Sequence, residues 1–174
     1  MTDERQGDAL WAALERLPRG AGVVFRHHAT PPAERRRLFA RVRRVARRRG
    51  LLLVRAGDRT LRGEAGVHGQ GGRGSAQRRG LLTWPAHDRR QALAGVRAGA
   101  RLLFVSPVFA TRSHPGARPA GPVRAAAIAR GLPVTVIALG GMDARRFRRL
   151  RALGFDGYAA IDAWNPARRR SSPA

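Results

Sequence analysis

Short apolar runs alternate along the chain with amphipathic segments of about ten to eighteen residues, the pattern that repeated strand–helix units produce. The runs Gly22–Arg26, Leu51–Val54, Gly66–His68, Leu81–Thr83, Leu102–Val105, Val134–Leu139 and Gly157–Ile161 read as strands. Thr30 followed by Pro31, Pro32 and Glu34 marks a helix start, after which Leu38, Val42 and Val45 share one face among arginines. A second helix begins at Asp88 with Leu93 and Val96 inward, and a third follows Asp143 with Phe147, Leu150 and Leu153 inward. The arginine runs are therefore read as solvated helix faces.

Strands that are almost wholly apolar, such as VTVIAL at Val134–Leu139, imply burial on both faces and hence a parallel sheet covered by helices. Periodicity leaves both a barrel and a doubly wound sheet open. The glycine-rich stretch Gly69–Gly80 reads as a mobile loop. The Arg/Ser/Pro stretch 165–174 reads as a disordered tail, leaving 1–164 as a single domain.

Composition narrows the chemistry. A hydrophobic fraction of 43% suits a globular fold. No run approaches the roughly 18–20 apolar residues of a membrane span, and MTDERQGDAL has no signal-peptide core. A cytoplasmic protein without a membrane partner is expected. The absence of cysteine excludes disulfides, thiolate metal sites and a cysteine nucleophile. No Ser/His/Asp order or paired-carboxylate spacing suggests a hydrolase.

The net charge of +24 points on its face to a polyanion such as RNA. All 35 basic residues are arginine, however, in a chain rich in Ala, Gly and Pro, which is the mark of a coding-DNA bias. Aromatics amount to 6%, too few to supply the base-stacking side chains of a nucleic-acid binder. A dedicated nucleic-acid role is accordingly disfavoured and stands as the alternative from another class. Nothing in the pattern fixes an oligomeric state.

Several residues could carry chemistry. Gly140 and Gly141 lie between a strand end and a helix start, so their amides can face an anion, although a tight turn needing positive φ would look the same. The loop Thr111 to Gly116 offers two hydroxyls, a guanidinium and an imidazole, groups suited to phosphate and equally to a polar surface turn. The histidines His27, His28, His68, His87 and His114 fall mostly near strand ends.

The segment LLFVSPVFATRSHPGARPAG at Leu102–Gly121, followed by PVTVIALGGMDARRFRRLRALGFDGYAAI, resembles the thiamine phosphate synthase and TenI family. There a strand ends in Gly-Pro-Val/Ile-Phe-x-Thr-x-Ser/Thr, the next in Ala-Ile/Leu-Gly-Gly-Ile, and the last in Val-Ala-x-Ile. GVHGQ at Gly66–Gln70 is similar to the family's Gly-Val-His-Leu-Gly-Gln, and VVFRHH at Val23–His28 stands at its Gln-x-Arg-x-Lys strand. The family's first strand ends in Thr-Asp, which Thr2-Asp3 matches.

The resemblance implies an α/β fold, a (β/α)₈ TIM-type barrel lacking most of the first strand through a misplaced start or real truncation. It also implies a transferase of thiamine biosynthesis that joins a pyrimidine diphosphate to thiazole phosphate and releases diphosphate. A TenI-like thiazole tautomerase, or a catalytically impaired paralogue that binds a phosphorylated ligand, is the alternative. The implied partners are small phosphorylated heterocycles.

On this resemblance Arg26, His28, His87, Ser113 and His114 are candidate catalytic residues. Thr111, Ser113, Gly116, Gly140, Gly141, Ala160 and Ile161 are candidate phosphate- and substrate-binding residues. Val24 and His28 replace the family's amide and lysine, Pro85 replaces a serine before His87, and Asp162 sets a carboxylate where a small hydroxyl is usual. Mg²⁺ is the implied cofactor, with Asp58 as a candidate ligand. Gly71-Gly72-Arg73, where a second acidic ligand is expected, argues against a dedicated metal site.

Overall fold

The computed structural model describes residues 1–69, 80–111, 116 and 118–164. The expected loop, apart from its two end glycines, and the expected tail lie outside these residues. The chain forms two compact units, one of Met1–Gly80 with the segment from Ile161 onward, the other of Leu81–Ala160.

In the first unit, β1 (Gly22–Phe25), β2 (Leu52–Ala56) and β3 (Gly66–His68) are parallel in chain order, with Phe25 level with Arg55 and Ala56 level with His68. Helix α1 (Ala9–Arg16) and helix α2 (Pro32–Arg49) belong to this unit. Pro32 opens α2 with its φ already helical, and Gly50 closes it in the left-handed conformation. Its buried stripe is Phe39, Val42 and Ala46, with Leu38 and Val45 at the margin, a rotation from the expected face. Phe39 decides this by meeting Phe25 edge-on at 5.2 Å. Leu10 and Leu14 of α1 complete the same core; no strong cap or turn signal marks α1 in the sequence.

β2 runs two residues past its expected end because Arg55, buried, is neutralised by Glu64 at 2.6 Å and stays in the ladder. Residues Thr2 and Asp3 lie alongside β1, where the Thr2 amide donates to the Val24 carbonyl at 2.9 Å. Asp3 then caps a 3₁₀ turn, Glu4–Gln6, with a reciprocal Gln6 contact.

In the second unit, β4 (Leu81–Ala86), β5 (Leu102–Val105), β6 (Thr135–Leu139) and β7 (Gly157–Ala159) are again parallel in chain order. β4 continues through Pro85, beyond the end that its apolar run predicts. Leu82 and Ala86 turn their carbonyls to Arg101 and Ser106, so the donor missing at Pro85 falls on the opposite edge.

Helix α3 (Arg89–Arg97) is capped by Asp88, and α5 (Ala144–Leu150) by Asp143, as their positions suggest. Between them in sequence lies the alanine-rich α4 (Pro122–Ala129). Gly95 lets α3 rest on the sheet, since a Cβ there would meet Trp84 at 2.7 Å and Leu103 at 2.9 Å. α3 buries Ala92 and Gly95, while Leu93 and Val96 are only half-buried. Leu150, the last residue of α5, is buried, but Leu153, expected inward, is exposed at the end of a 3₁₀ turn that breaks the helical period.

Candidate active site

The two units present separate groups of candidate residues, each at the carboxyl ends of its strands.

In the second unit the Gly140–Gly141 turn after β6 and the loop after β5 are packed directly together. The Val108 amide donates to the Leu139 carbonyl at 2.9 Å, and the Phe109 amide donates to the Gly140 carbonyl at 3.1 Å. Both glycines have positive φ, 94° and 60°. A Cβ on Gly140 would lie 2.9 Å from the Pro107 Cα, and one on Gly141 would lie 2.4 Å from the Ala110 oxygen. Glycine here answers to close backbone approach as well as to φ. The same loop runs on to Thr111, which is half-buried.

Over this turn lies Arg146, which no motif singles out. Its guanidinium donates to the Gly141 carbonyl and stacks on the Phe109 ring at 4.7 Å. It is exposed, so the cation borders the glycine turn from the solvent side. Its backbone amide donates to the Asp143 cap at 2.7 Å, which fixes where the side chain begins.

His87 is exposed at the end of β4, with Nδ1 2.7 Å from the Ser106 carbonyl. A carbonyl only accepts, so Nδ1 carries the proton and Nε2 of the neutral ring remains an acceptor. The His87 amide donates to Gln91 Oε1 at 3.0 Å. Ala160 is buried after β7. Gly116 is exposed with φ 84° and no neighbour within 4 Å of a built Cβ, as a turn glycine would be. Ser113 and His114 lie outside the described residues.

In the first unit, Arg26 follows β1 and its guanidinium is 3.8 Å from Asp3. The neighbouring histidines divide in role. His27 is buried and stacked on Phe25 at 4.7 Å, with Nδ1 2.9 Å from the Thr2 hydroxyl, and belongs to the core. His28 is exposed beside Gly57 and is held below the usual imidazole range by desolvation and then by Arg26 and Arg35. His68, at the end of β3, is pushed down to about 4, first by burial and then by Arg26.

Arg35 of α2 is likewise outside every motif. Its Nε donates to the His27 carbonyl at 3.0 Å and its Nη2 to the Ala56 carbonyl at 2.7 Å, which ties the loops after β1 and β2 together. Ile161 accepts a hydrogen bond from Gln6 Nε2 at 3.0 Å. Asp162, the unexpected carboxylate, lies in the field of Arg5, whose guanidinium is raised chiefly by Asp3.

Asp58 is exposed and shares its surroundings with Arg35. Among the described residues no three His, Cys, Asp or Glu side chains are grouped as metal ligands, and every Asp and Glu of the chain falls within those residues. Asp58 offers one carboxylate with the Arg35 cation in its surroundings; Mg²⁺ takes one or two carboxylates and completes its octahedron with substrate phosphate and water, so it is the like charge of arginine that opposes the ion here.

The family model described as "Thiamine monophosphate synthase" matches residues 1–164. The chain belongs to this family. A thiamine-phosphate synthase of Chloroflexus aurantiacus is 36% identical over 84 residues, 48% of this chain and 39% of that protein. One from Salinispora tropica is 40% identical over 88 residues, 50% of this chain and 42% of that protein. This thiamine monophosphate synthase family member thus spans less than half the length of these relatives in the match. Thiamine phosphate pyrophosphorylase of Pyrococcus furiosus superposes with a TM-score of 0.77 at 23% identity, over 93% of this chain and 83% of that one. That likeness shows the fold, a TIM-type α/β barrel. Among the described residues no helix is long and apolar enough to cross a membrane.

Proposed function

We propose that the chain acts in thiamine biosynthesis as a synthase, joining a pyrimidine diphosphate to thiazole phosphate with release of diphosphate. The carrying observation is the mutual packing of the Gly140–Gly141 turn and the Pro107–Ala110 loop in a member of this family. Backbone amides of the two glycines, with the Thr111 hydroxyl, suit a phosphate cradle, and Arg146 adds a cation beside it. Barrel enzymes often bind phosphate at the last strand ends, which supports placing the thiazole phosphate there. Ala160, buried after β7 in the same unit, would contribute through the backbone. Arg26 and His28 suit the diphosphate, and His87 offers Nε2 to a proton. No step in this reading runs through a metal ion. The chemistry suits the cytoplasm, where small phosphorylated metabolites are held.

Turnover of the full chain with both substrates tests this reading, and isothermal titration with thiazole phosphate tests its carrying observation. Binding is expected; none to folded protein would remove the proposal. Val24 and His28, in place of the amide and lysine of the family pattern, favour a second reading, a paralogue that binds thiazole phosphate without joining it. Binding without turnover selects that reading.

A further inference from the structure

We propose that Arg26, His28 and His68 hold a diphosphate anion directly, without a divalent cation between protein and phosphate. The proposal rests on the synthase reading for the identity of the anion, and on the geometry of the first unit for its place.

Register brings the three together. Phe25 is level with Arg55, so Arg26, one residue on, comes level with Ala56, which is itself paired with His68. Residues level with one another in parallel strands point to the same side. Phe25 faces the α2 core, so Arg26, Ala56 and His68 share the face turned away from that helix. Ala56 keeps bulk out from between the two longer side chains. His28 joins the group beside Gly57, where a built Cβ would be 3.6 Å from its Nδ1. Arg26 and His68 thus flank a methyl group, and a guanidinium with two imidazoles offers donors to several phosphate oxygens at once.

Three carboxylates near these strand ends already have donors, although Asp3 also lies 3.8 Å from Arg26 itself. Asp3 receives Arg5 at 2.7 Å, Glu4 accepts the Ala29 amide at 2.9 Å, and Glu64 pairs with Arg55 at 2.6 Å. Asp162 lies in the field of Arg5, and Asp58 is exposed beside Arg35. A dication would meet the charge of Arg26 and Arg35, whereas a diphosphate would meet cations and N–H donors. Arginine, always charged and able to bind phosphate through two parallel hydrogen bonds, takes over the compensation of charge that a metal would supply.

The test is titration calorimetry of inorganic diphosphate into the full chain, in EDTA and in excess Mg²⁺, with thiazole phosphate titrated into the same preparation. Binding in EDTA is expected, with no tightening by Mg²⁺. Arg26→Ala should weaken it by about tenfold or more, and Arg90→Ala, on the solvent side of α3, should leave it unchanged. His28→Ala, at an exposed position, gives a second reading should the first variant fail to fold, and should weaken binding severalfold. Binding only with Mg²⁺, or equal losses in the Arg90 and His28 variants, overturns the proposal. Diphosphate binding in EDTA without thiazole phosphate binding would instead defeat the synthase reading and leave this one standing.

Discussion

The His87 ring gives its Nδ1 proton to the Ser106 carbonyl oxygen across 2.7 Å, and in doing so leaves Nε2 as the nitrogen open to chemistry. His87→Asn keeps a donor near the first nitrogen and deletes the second. If Nε2 moves a proton in the reaction, kcat should fall about 10²-fold or more, with the melting temperature little changed. Steady-state kinetics beside thermal unfolding checks this, and an unaltered kcat would remove His87 from the mechanism.

Gly141→Ala must fit a Cβ at 2.4 Å from the Ala110 oxygen at φ 60°. The cost should be about 2 kcal/mol, roughly 4–8 °C in Tm for a domain of this size. Gly99→Ala, also at positive φ but with open space around it, carries strain alone and should cost less. Comparing the two melting curves separates close approach from backbone conformation.

Arg146→Ala should weaken thiazole phosphate about tenfold while leaving the unphosphorylated thiazole alcohol unaffected. The second ligand guards against a general loss of structure. Equal effects on both ligands would make Arg146 a support for the turn and no contact of the phosphate.

Stability should fall in mild acid. His68 sits at about 4 when folded against an ordinary 6.5, so its neutral form is the one the fold accommodates. A depressed value means the contribution is complete above pH 6.5 and is lost as pH drops towards 4. Arg26, His28 and the Met1 amino group, all cationic when protonated, surround it and act in the same direction. The loss should be on the order of 2 kcal/mol after allowance for partial exposure. Melting curves at pH 7 and pH 4.5 measure it, and His68→Gln should flatten the difference.

Part of the candidate site is legible in the residues alone. Gly140-Gly141 after a strand and Asp143 as a cap stand in fixed sequence order, and both occur where the motif places them. Arg146 and Arg35 are not legible in this way. Each is one of 35 arginines, and nothing local distinguishes these two, which touch carbonyls at or just past strand ends, from those on solvated helix faces. The metal question is half legible: the acidic gap after Gln70 is visible in the sequence, but the engagement of Asp3, Glu4 and Glu64 is not.

By itself the sequence determined what short-range chemistry controls: the strand–helix alternation, the parallel character of apolar strands, the caps at Asp88 and Asp143, and the family motifs. Tertiary structure alone decided which face of α2 is buried, that Arg55 stays within β2, that Thr2 bonds to Val24 of β1, and that the glycine turn meets Ala110. Periodicity and capping depend on neighbours along the chain, whereas these outcomes depend on groups well separated in sequence, such as Phe25 and Phe39 or Ala110 and Gly141, whose contact has no local signature.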